Sequence, residues 1–337
     1  MASGRTRASD LPNPLTVELQ WGLGDVLLTT PALRAFKALR PDHVVRFRTR
    51  TQPRHSAYRS GAVPIDMIRH NPDIDEIVDS GTVRPPDVID LRYAWFGGPS
   101  LDYPIQHHYF EQIHLDPVDH PLDSHYYIAE DETLGARGMI GDSPVLAIAP
   151  HNGWPGKLWR REAWWDVMTW AHSEGIRPVV LSGDALPEMN HAAALNLSGR
   201  ISLRQAAAIL SLADFAVLVE GGLSNLRFAI KHDAATGNIL PRYRGCVLLT
   251  CATQAGVQVW TPPDLTTEVR ASTPGGAAAC DPCMWRGRHV QARNGRIPPA
   301  SIRDCPEGRS LRDVPASTVI TALSRQIEQR EGVMTNG

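Results

Sequence analysis

Apolar and polar positions along this chain fall into short blocks that keep switching between two periods. Leu15-Thr16-Val17-Glu18-Leu19 forms a strand candidate that runs into Gln20-Trp21-Gly22-Leu23-Gly24-Asp25. From Val26 to Leu39 the apolar residues lie at helical spacing, and Pro41-Asp42 stops the run. Strand, glycine turn and helix in that order open an α/β sheet. Further strands are predicted at Val44–Arg48, Glu76–Val78 and Val88–Leu91. Over 130–144 the pattern softens into charged and glycine-containing sequence, and then Val145-Leu146-Ala147-Ile148-Ala149-Pro150 gives the continuous apolar run of a strand covered on both faces. A helix over Arg161–Gly175, a strand at Pro178–Leu181, a helix over Leu203–Leu212 and a strand at Phe215–Val219 follow, then a glycine turn and another helix. The alternation restarts near residue 145, so the chain reads as two doubly wound domains joined by a linker over 135–144. Residues 1–14 read as a mobile leader, 15–140 as the first domain, 141–314 as the second, and 315–337 as a helix and tail. In a two-lobed protein such a terminal helix is expected to pack back on the first lobe.

Composition narrows this picture. The 337 residues are 42% hydrophobic and 21% charged, which suits a buried core and excludes extended disorder. A formal net charge of −2 argues against a nucleic-acid partner, although Arg46, Arg48, Arg50, Arg54 and Arg59 gather locally. No apolar run approaches the roughly 20 residues of a membrane span and no signal segment opens the chain, so a cytoplasmic location is expected. All five cysteines lie in the last third, which in a reducing compartment points to thiols or a metal before disulfides.

Three junctions carry chemistry. In Gly22-Leu23-Gly24-Asp25, glycines allow a tight turn and close approach to a ligand, and Asp25 stands at the mouth of the sheet, either to take a proton from a hydroxyl or to cap the helix. Pro150-His151-Asn152-Gly153-Trp154-Pro155-Gly156-Lys157 follows a strand, and a lysine there can neutralise a phosphate as a point charge. Nearby Trp159, Trp164 and Trp165 suit helix packing better than a sugar platform. Glu220-Gly221-Gly222-Leu223-Ser224-Asn225 sets two glycines at a helix start, whose N–H groups make an anion site.

Gly-Leu-Gly-Asp-Val-Leu-Leu-Thr-Thr-Pro-Ala-Leu at 22–33 resembles the N-terminal signature of glycosyltransferase family 9, the lipopolysaccharide heptosyltransferases. The stretch 150–159 is similar to that family's nucleotide loop, and Asn196-Leu197-Ser198-Gly199 with Ser202–Asp214 resembles the segment before its third motif. The resemblance covers roughly 17–230 in order and spacing. It implies a GT-B architecture of two Rossmann-like domains facing across a cleft, the first taking the acceptor and the second the nucleotide sugar. It further implies inverting, metal-independent transfer of a sugar, heptose by family habit, from an ADP-sugar to a hydroxyl of a glycan such as lipopolysaccharide core, in the cytoplasm or at the inner face of its membrane. No cofactor is required, since the resemblance brings no metal-binding aspartate pair. Asp25 matches the base; Lys157 contacts the departing diphosphate and stabilises its charge. Gly24, Asn152, Asp184, Glu220, Gly221, Gly222, Leu223 and Asn225 fall on the donor side, and Thr29, Arg46 and Arg48 on the acceptor side. The third motif departs from the family: Glu220 replaces an Asp, Gly221 a hydroxyl residue and Asn225 a His, and Lys231–Arg244 looks like an insertion. A non-catalytic nucleotide-sugar-binding relative and a sugar-nucleotide epimerase are the alternatives.

Cys280-Asp281-Pro282-Cys283, with Cys305, has the spacing of a metal knuckle and makes a candidate structural zinc or iron site. His107, His108, His114, His120 and His125 match no ligand spacing.

Overall fold

The computed structural model describes residues 10–20, 22–52, 61–92, 104–150, 158–240, 245–250, 266–270, 311 and 314–335. Asn152, Lys157, Cys251, Cys280, Cys283 and Cys305 lie outside them, as do Arg54 and Arg59. The chain divides into two compact units. The first comprises Met1–Ile128, Phe228–Leu240 and Gly256–Trp260, and the second Ala129–Arg227, Pro241–Ala255 and Thr261–Gly337.

In the first unit β1 (Leu15–Glu18) leads through the glycine turn into α1 (Leu23–Leu28) and α2 (Thr30–Leu39), then β2 (Val45–Thr49), β3 (Glu76–Asp79), β4 (Ile89–Asp90), α3 (Ile105–Gln112) and β5 (His125–Ile128). One helix was expected over 26–39, and two are found. The hydroxyl of Thr29 donates to the Val26 carbonyl at 2.7 Å and that of Thr30 to the Leu27 carbonyl at 2.8 Å. Pro31 has no N–H to continue the ladder, so two threonine hydroxyls and a proline divide the run at Thr29. The main sheet is parallel in the order β3-β2-β1-β4. One face is apolar: Leu15, Val17, Val45 and Phe47 are fully buried, and each contributes about 1.5–3 kcal/mol of burial for a side chain of this size. The other face carries charge, as described below.

The second unit begins with α4 (Glu130–Ile140) and continues through β6 (Val145–Ala149), α5 (Arg161–Ser173), β7 (Arg177–Val180), β8 (Leu195–Asn196), α6 (Leu203–Leu212), β9 (Phe215–Val219) and α7 (Gly222–Phe228). β10 (Ile230–Asp233) returns to the first unit, and β11 (Cys246–Thr250), β12 (Thr266–Arg270) and α8 (Ala316–Thr335) complete the second. Its six strands are parallel in the order β12-β11-β9-β6-β7-β8. Both faces are apolar, and Ile148, Trp164, Val167, Met168, Val180, Val217 and Leu249 lie in one core cluster. Trp159 and Trp164 meet edge to face at 4.8 Å, and the Trp159 indole donates to the Val314 carbonyl at 2.7 Å. Both are packing residues.

Three expectations need correction. The stretch read as a linker at 135–144 is mostly helix: α4 packs along α6, Arg204 forks onto both carboxylate oxygens of Glu132, and Glu132 accepts the Ala129 N–H at 2.9 Å. Ala136 and Ile140 are its only fully buried residues, so the apolar period was too sparse to see. The terminal helix α8 packs on α5, β11 and β12 of the second unit. The presumed insertion after Ile230 holds β10, paired in parallel with β5.

Candidate functional site

Each sheet winds outward from its first strand on one side and resumes on the other. Ligands of open α/β sheets bind at the carboxyl ends of strands where that reversal occurs. In the first unit the reversal lies between β1 and β4, and in the second between β6 and β9. The turn holding Asp25 follows β1, and Glu220-Gly221-Gly222 follows β9.

At the first reversal Gly22 has φ +73°, and a Cβ there would lie 1.7 Å from Oδ2 of Asp25. Only glycine both adopts that backbone and leaves room for the carboxylate folded over it. Asp25 occupies the first turn of α1 and is half-buried, while Gly24 is buried. The side chain expected to act is therefore held by the glycine three residues before it.

Beside it the sheet presents a row of charge. Arg48, Glu18 and Asp90 are register partners across β2, β1 and β4 and share one face. Arg48 and Glu18 are each 2% exposed and pair at 3.0 Å, and Arg48 also donates to the side chain and carbonyl of Thr82, both at 3.0 Å. Gln20 donates to Glu18, and Arg84 reaches Glu18 at 3.5 Å and Asp90 at 3.2 Å. Burial pushes the Asp90 carboxyl up, but hydrogen bonds from Arg92 and the charges of Arg92 and Arg84 outweigh it and hold the group below the usual range. Arg48, expected on the acceptor side, is thus committed to the sheet. Arg46 is 40% exposed and paired with Glu76 at 2.6 Å, and Thr29 is fully buried with its hydroxyl turned to the backbone.

At the second reversal the Gly221 N–H, expected to face a phosphate, donates to Oγ of Ser224 at 2.9 Å, whose hydroxyl returns to the Gly221 carbonyl at 2.7 Å. That closes the turn and starts α7 at Gly222. Glu220, Ser224 and Asn225 are buried, and Gly222 and Leu223 are half-buried. Arg227, fully buried, braces the element from below: it donates to the carbonyls of Leu210 at 2.6 Å, Ala213 at 3.0 Å and Gly245 at 2.9 Å.

Asp184 lies in the loop after β7, half-buried, with its N–H on Ser182 Oγ at 3.2 Å. The Asn196–Gly199 segment builds that loop. Asn196 donates to the Leu186 carbonyl at 2.9 Å, Ser198 Oγ accepts the Leu186 N–H at 2.9 Å, and the Gly199 N–H meets the Ser182 carbonyl at 2.9 Å. At Gly199, with φ +66°, a Cβ would lie 2.6 Å from the Ala185 nitrogen. Sequence reading singled out the segment without seeing that it shapes the Asp184 turn; the Asn-x-Ser-Gly order, which allows local side-chain bonds and a positive φ, was the available signal.

The family model described as glycosyltransferase family 9 (heptosyltransferase) matches residues 106–233. That stretch, well under half of the chain, is similar to the family. Solved structures agree with the winding. The family 9 glycosyl transferase from Veillonella parvula superposes with a TM-score of 0.62 at 14% identity, covering 94% of this chain and 99% of that one. ADP-heptose lps heptosyltransferase II of E. coli gives 0.59 at 14% identity, with coverages of 94% and 99%. The iron-containing dodecameric glycosyltransferase TibC of enterotoxigenic E. coli gives 0.62 at 16% identity, with coverages of 95% and 77%. No curated protein sequence matches significantly. The chain has the GT-B architecture of two Rossmann-like units. Among the described residues no helix is long and apolar enough to cross a membrane, and no group of three or more His, Cys, Asp or Glu is disposed to hold a metal. Asp73-Ile74-Asp75 does form an Asp-x-Asp pair in the sequence. Its second carboxylate accepts the Val45 N–H at 2.7 Å and pairs with Lys37 at 2.8 Å, which ties it to the edge of the sheet.

Proposed function

We propose that this protein is a family 9 glycosyltransferase that inverts the anomeric carbon of an ADP-linked sugar, heptose by family habit, as it transfers that sugar to a hydroxyl of a glycan such as lipopolysaccharide core. What carries the reading is the coincidence of motif and winding: Asp25 stands at the reversal of the first sheet, and the Gly221-Gly222 turn at that of the second. Structural relatives support the donor class. A TibC structure with a TM-score of 0.63 is a complex with ADP-D-beta-D-heptose, and the E. coli heptosyltransferase WaaC, with a TM-score of 0.55, is described with ADP.

Asp25 accepts the proton of the acceptor hydroxyl while that oxygen forms a bond to the anomeric carbon. The bond from that carbon to the diphosphate oxygen breaks, and its electron pair leaves with the ADP. Lys157 and the N–H groups at the start of α7 stabilise the leaving charge. Because Gly221 donates within its own turn, Gly222 and Leu223 take the diphosphate, with Asn152, Glu220 and Asn225 around it and Asp184 toward the ribose. Gly24 gives the closest backbone approach to the donor from the first unit. Arg46 exchanges Glu76 for an anionic acceptor, whereas Thr29 and Arg48 shape that side from within. No step is routed through a metal; Cys280, Cys283 and Cys305 would hold a structural zinc or iron apart from the chemistry. The protein works in the cytoplasm or at the inner face of its membrane.

The test adds ADP-heptose, other ADP-sugars, UDP-sugars and GDP-sugars to the purified protein and follows thermal shift and nucleotide release. Selective stabilisation with slow release of ADP is expected. In Asp25→Asn, release should fall about 10²- to 10⁴-fold while the ADP-sugar still stabilises the protein. Equal loss of both would remove Asp25 as base, and a response confined to UDP- or GDP-sugars would overturn the donor.

A further inference from the structure

Between the last ladder bond of β1 and the first turn of α1 the chain has only a few residues in which to aim Asp25. One side chain in that span has no part in the chemistry described above. Gln20 lies two positions beyond the end of β1 and is half-buried. Residues two apart on an extended strand share a face, so Gln20 continues the face of Glu18 and lies over the buried charge row. Its side-chain nitrogen donates to Oε1 of Glu18. A carboxylate only accepts, so the amide turns its N–H group, and not its carbonyl, toward that oxygen.

The other end of that bond is fixed. Glu18 is buried, and its second oxygen, Oε2, takes Arg48 at 3.0 Å and Arg84 at 3.5 Å. The two oxygens therefore have separate tasks. Oε2 is held by guanidiniums from β2 and from the segment before β4, and Oε1 holds the amide at the exit of β1. Shifting Glu18 would break a buried ion pair, which is costly, so the carboxylate is a stiff anchor. The backbone beside it is clamped as well: the Leu19 N–H meets the Arg48 carbonyl at 3.1 Å, and the Thr49 hydroxyl donates to the Leu19 carbonyl at 2.7 Å. Beyond the turn, the Val26 N–H donates to the Gly22 carbonyl at 3.1 Å, and the Asp25 carboxylate lies folded over Gly22. Between these two clamps the Gln20 side chain ties the turn back to the sheet.

We propose that Gln20 is a positioning residue whose bond to Glu18 fixes the Gly22 turn against the sheet, and through it the Asp25 carboxylate. The inference rests on Asp25 as the base. The route is short. The Asp25 carboxylate lies over Gly22, Gly22 stands two residues from Gln20, and Gln20 holds a carboxylate that two arginines keep in place. Without the tether the turn can lift by rotation about the few backbone bonds between Leu19 and Gly22, and a glycine resists such rotation least. A carboxylate displaced by an ångström loses its alignment with the acceptor hydroxyl. The buried Glu18 thus has a second task besides holding β1 to β2.

The experiment uses the full chain with Q20M, which keeps the stem and removes the donor, and Q20K, whose ammonium still donates to Glu18. Each is made with Asp25 intact and with D25N. ADP release at saturating ADP-sugar and the donor KM are measured, and amide hydrogen exchange at Val26 reads the turn with no donor present. In Q20M release should fall about tenfold to a hundredfold at unchanged KM. Val26 should exchange about threefold to tenfold faster, and Q20K should recover both. On top of D25N, Q20M should have no further effect, as expected of residues that act as a unit. Wild-type release in Q20M, a raised KM at unchanged kcat, or an equal loss in the D25N background would overturn the tether. Wild-type release by D25N would remove the base and the inference with it, whereas a slow D25N beside a fast Q20M removes the tether alone. If no ADP-sugar is turned over, Val26 exchange decides: faster exchange in Q20M keeps Gln20 as the tether, and unchanged exchange ends it.

Discussion

The same winding is built twice in this chain, from opposite materials. At the carboxyl edge of the first sheet, three register partners are Arg48, Glu18 and Asp90. The corresponding row in the second sheet is Ala149, Leu218 and Leu248. Across these central strands the second sheet is held at that edge by apolar packing. In the first, buried charge reaches into the strands. Buried ion pairs add little stability over apolar residues of similar volume but are costly to break. That edge is therefore specified by pairing as well as by shape.

The contrast breaks most visibly by removing one member of each row. Glu18→Leu leaves the Arg48 guanidinium buried without its carboxylate and should cost about 3–5 kcal/mol in urea unfolding. Adding Arg48→Leu should recover most of that loss. Leu218→Ala should cost about 2–5 kcal/mol through the cavity it leaves, and no charge change elsewhere should restore it. Rescue in both rows, or in neither, would erase the distinction.

Next in size are the two glycines. Gly22→Ala pushes a methyl group into the Asp25 carboxylate and should lower kcat about 10²-fold, as expected for a reactive group displaced by an ångström, with little change in the donor-induced thermal shift. Gly199→Ala strains the Asp184 turn against the Ala185 backbone, a cost of about 1–3 kcal/mol. Steady-state kinetics should show it as a raised KM for the ADP-sugar more than a lowered kcat. If both variants moved the same constant, the division of labour between the loops would fall.

The smallest effect concerns acid. Asp90 has its carboxyl held below the usual range when folded, so the unfolded chain takes up the proton first. Its contribution is complete above the ordinary aspartate range near about pH 4 and is lost as pH falls through the lower folded value. Asp90→Asn should flatten that part of the stability profile in thermal melts between about pH 5 and 2. An unchanged acid limb would mean that Arg84 and Arg92 do not hold the group.

The same difference explains what could be read in advance. In the second unit, apolar runs such as Val145–Ala149 and Phe215–Val219 announce strands covered on both faces, and their boundaries fall within a residue or two of the observed ones. In the first, Arg46 and Arg48 in β2 look like a basic patch, because periodicity shows that they share a face but not that Glu76 and Glu18 lie opposite. α4 escaped notice because its attachment is a salt bridge and a cap. The glycines at 22 and 221–222 were visible as turns. That one shelters a carboxylate and another donates to Ser224 needs coordinates, because both depend on a positive φ or a side chain three residues away. β5 and β10 pair across the whole stretch between Ile128 and Ile230, and no local pattern joins them.

That separation has a consequence for how the molecule is made. β5 finds its ladder partner only when β10 has been synthesised, after the whole stretch 129–227 of the second unit. At about 5–20 residues per second on the ribosome, the nascent first unit waits on the order of 5–20 s before β5 can pair with β10. The early half of the polypeptide thus cannot finish before the later half is well under way. A shortened transcript ending near residue 128 would release an unfinished edge rather than an autonomous module.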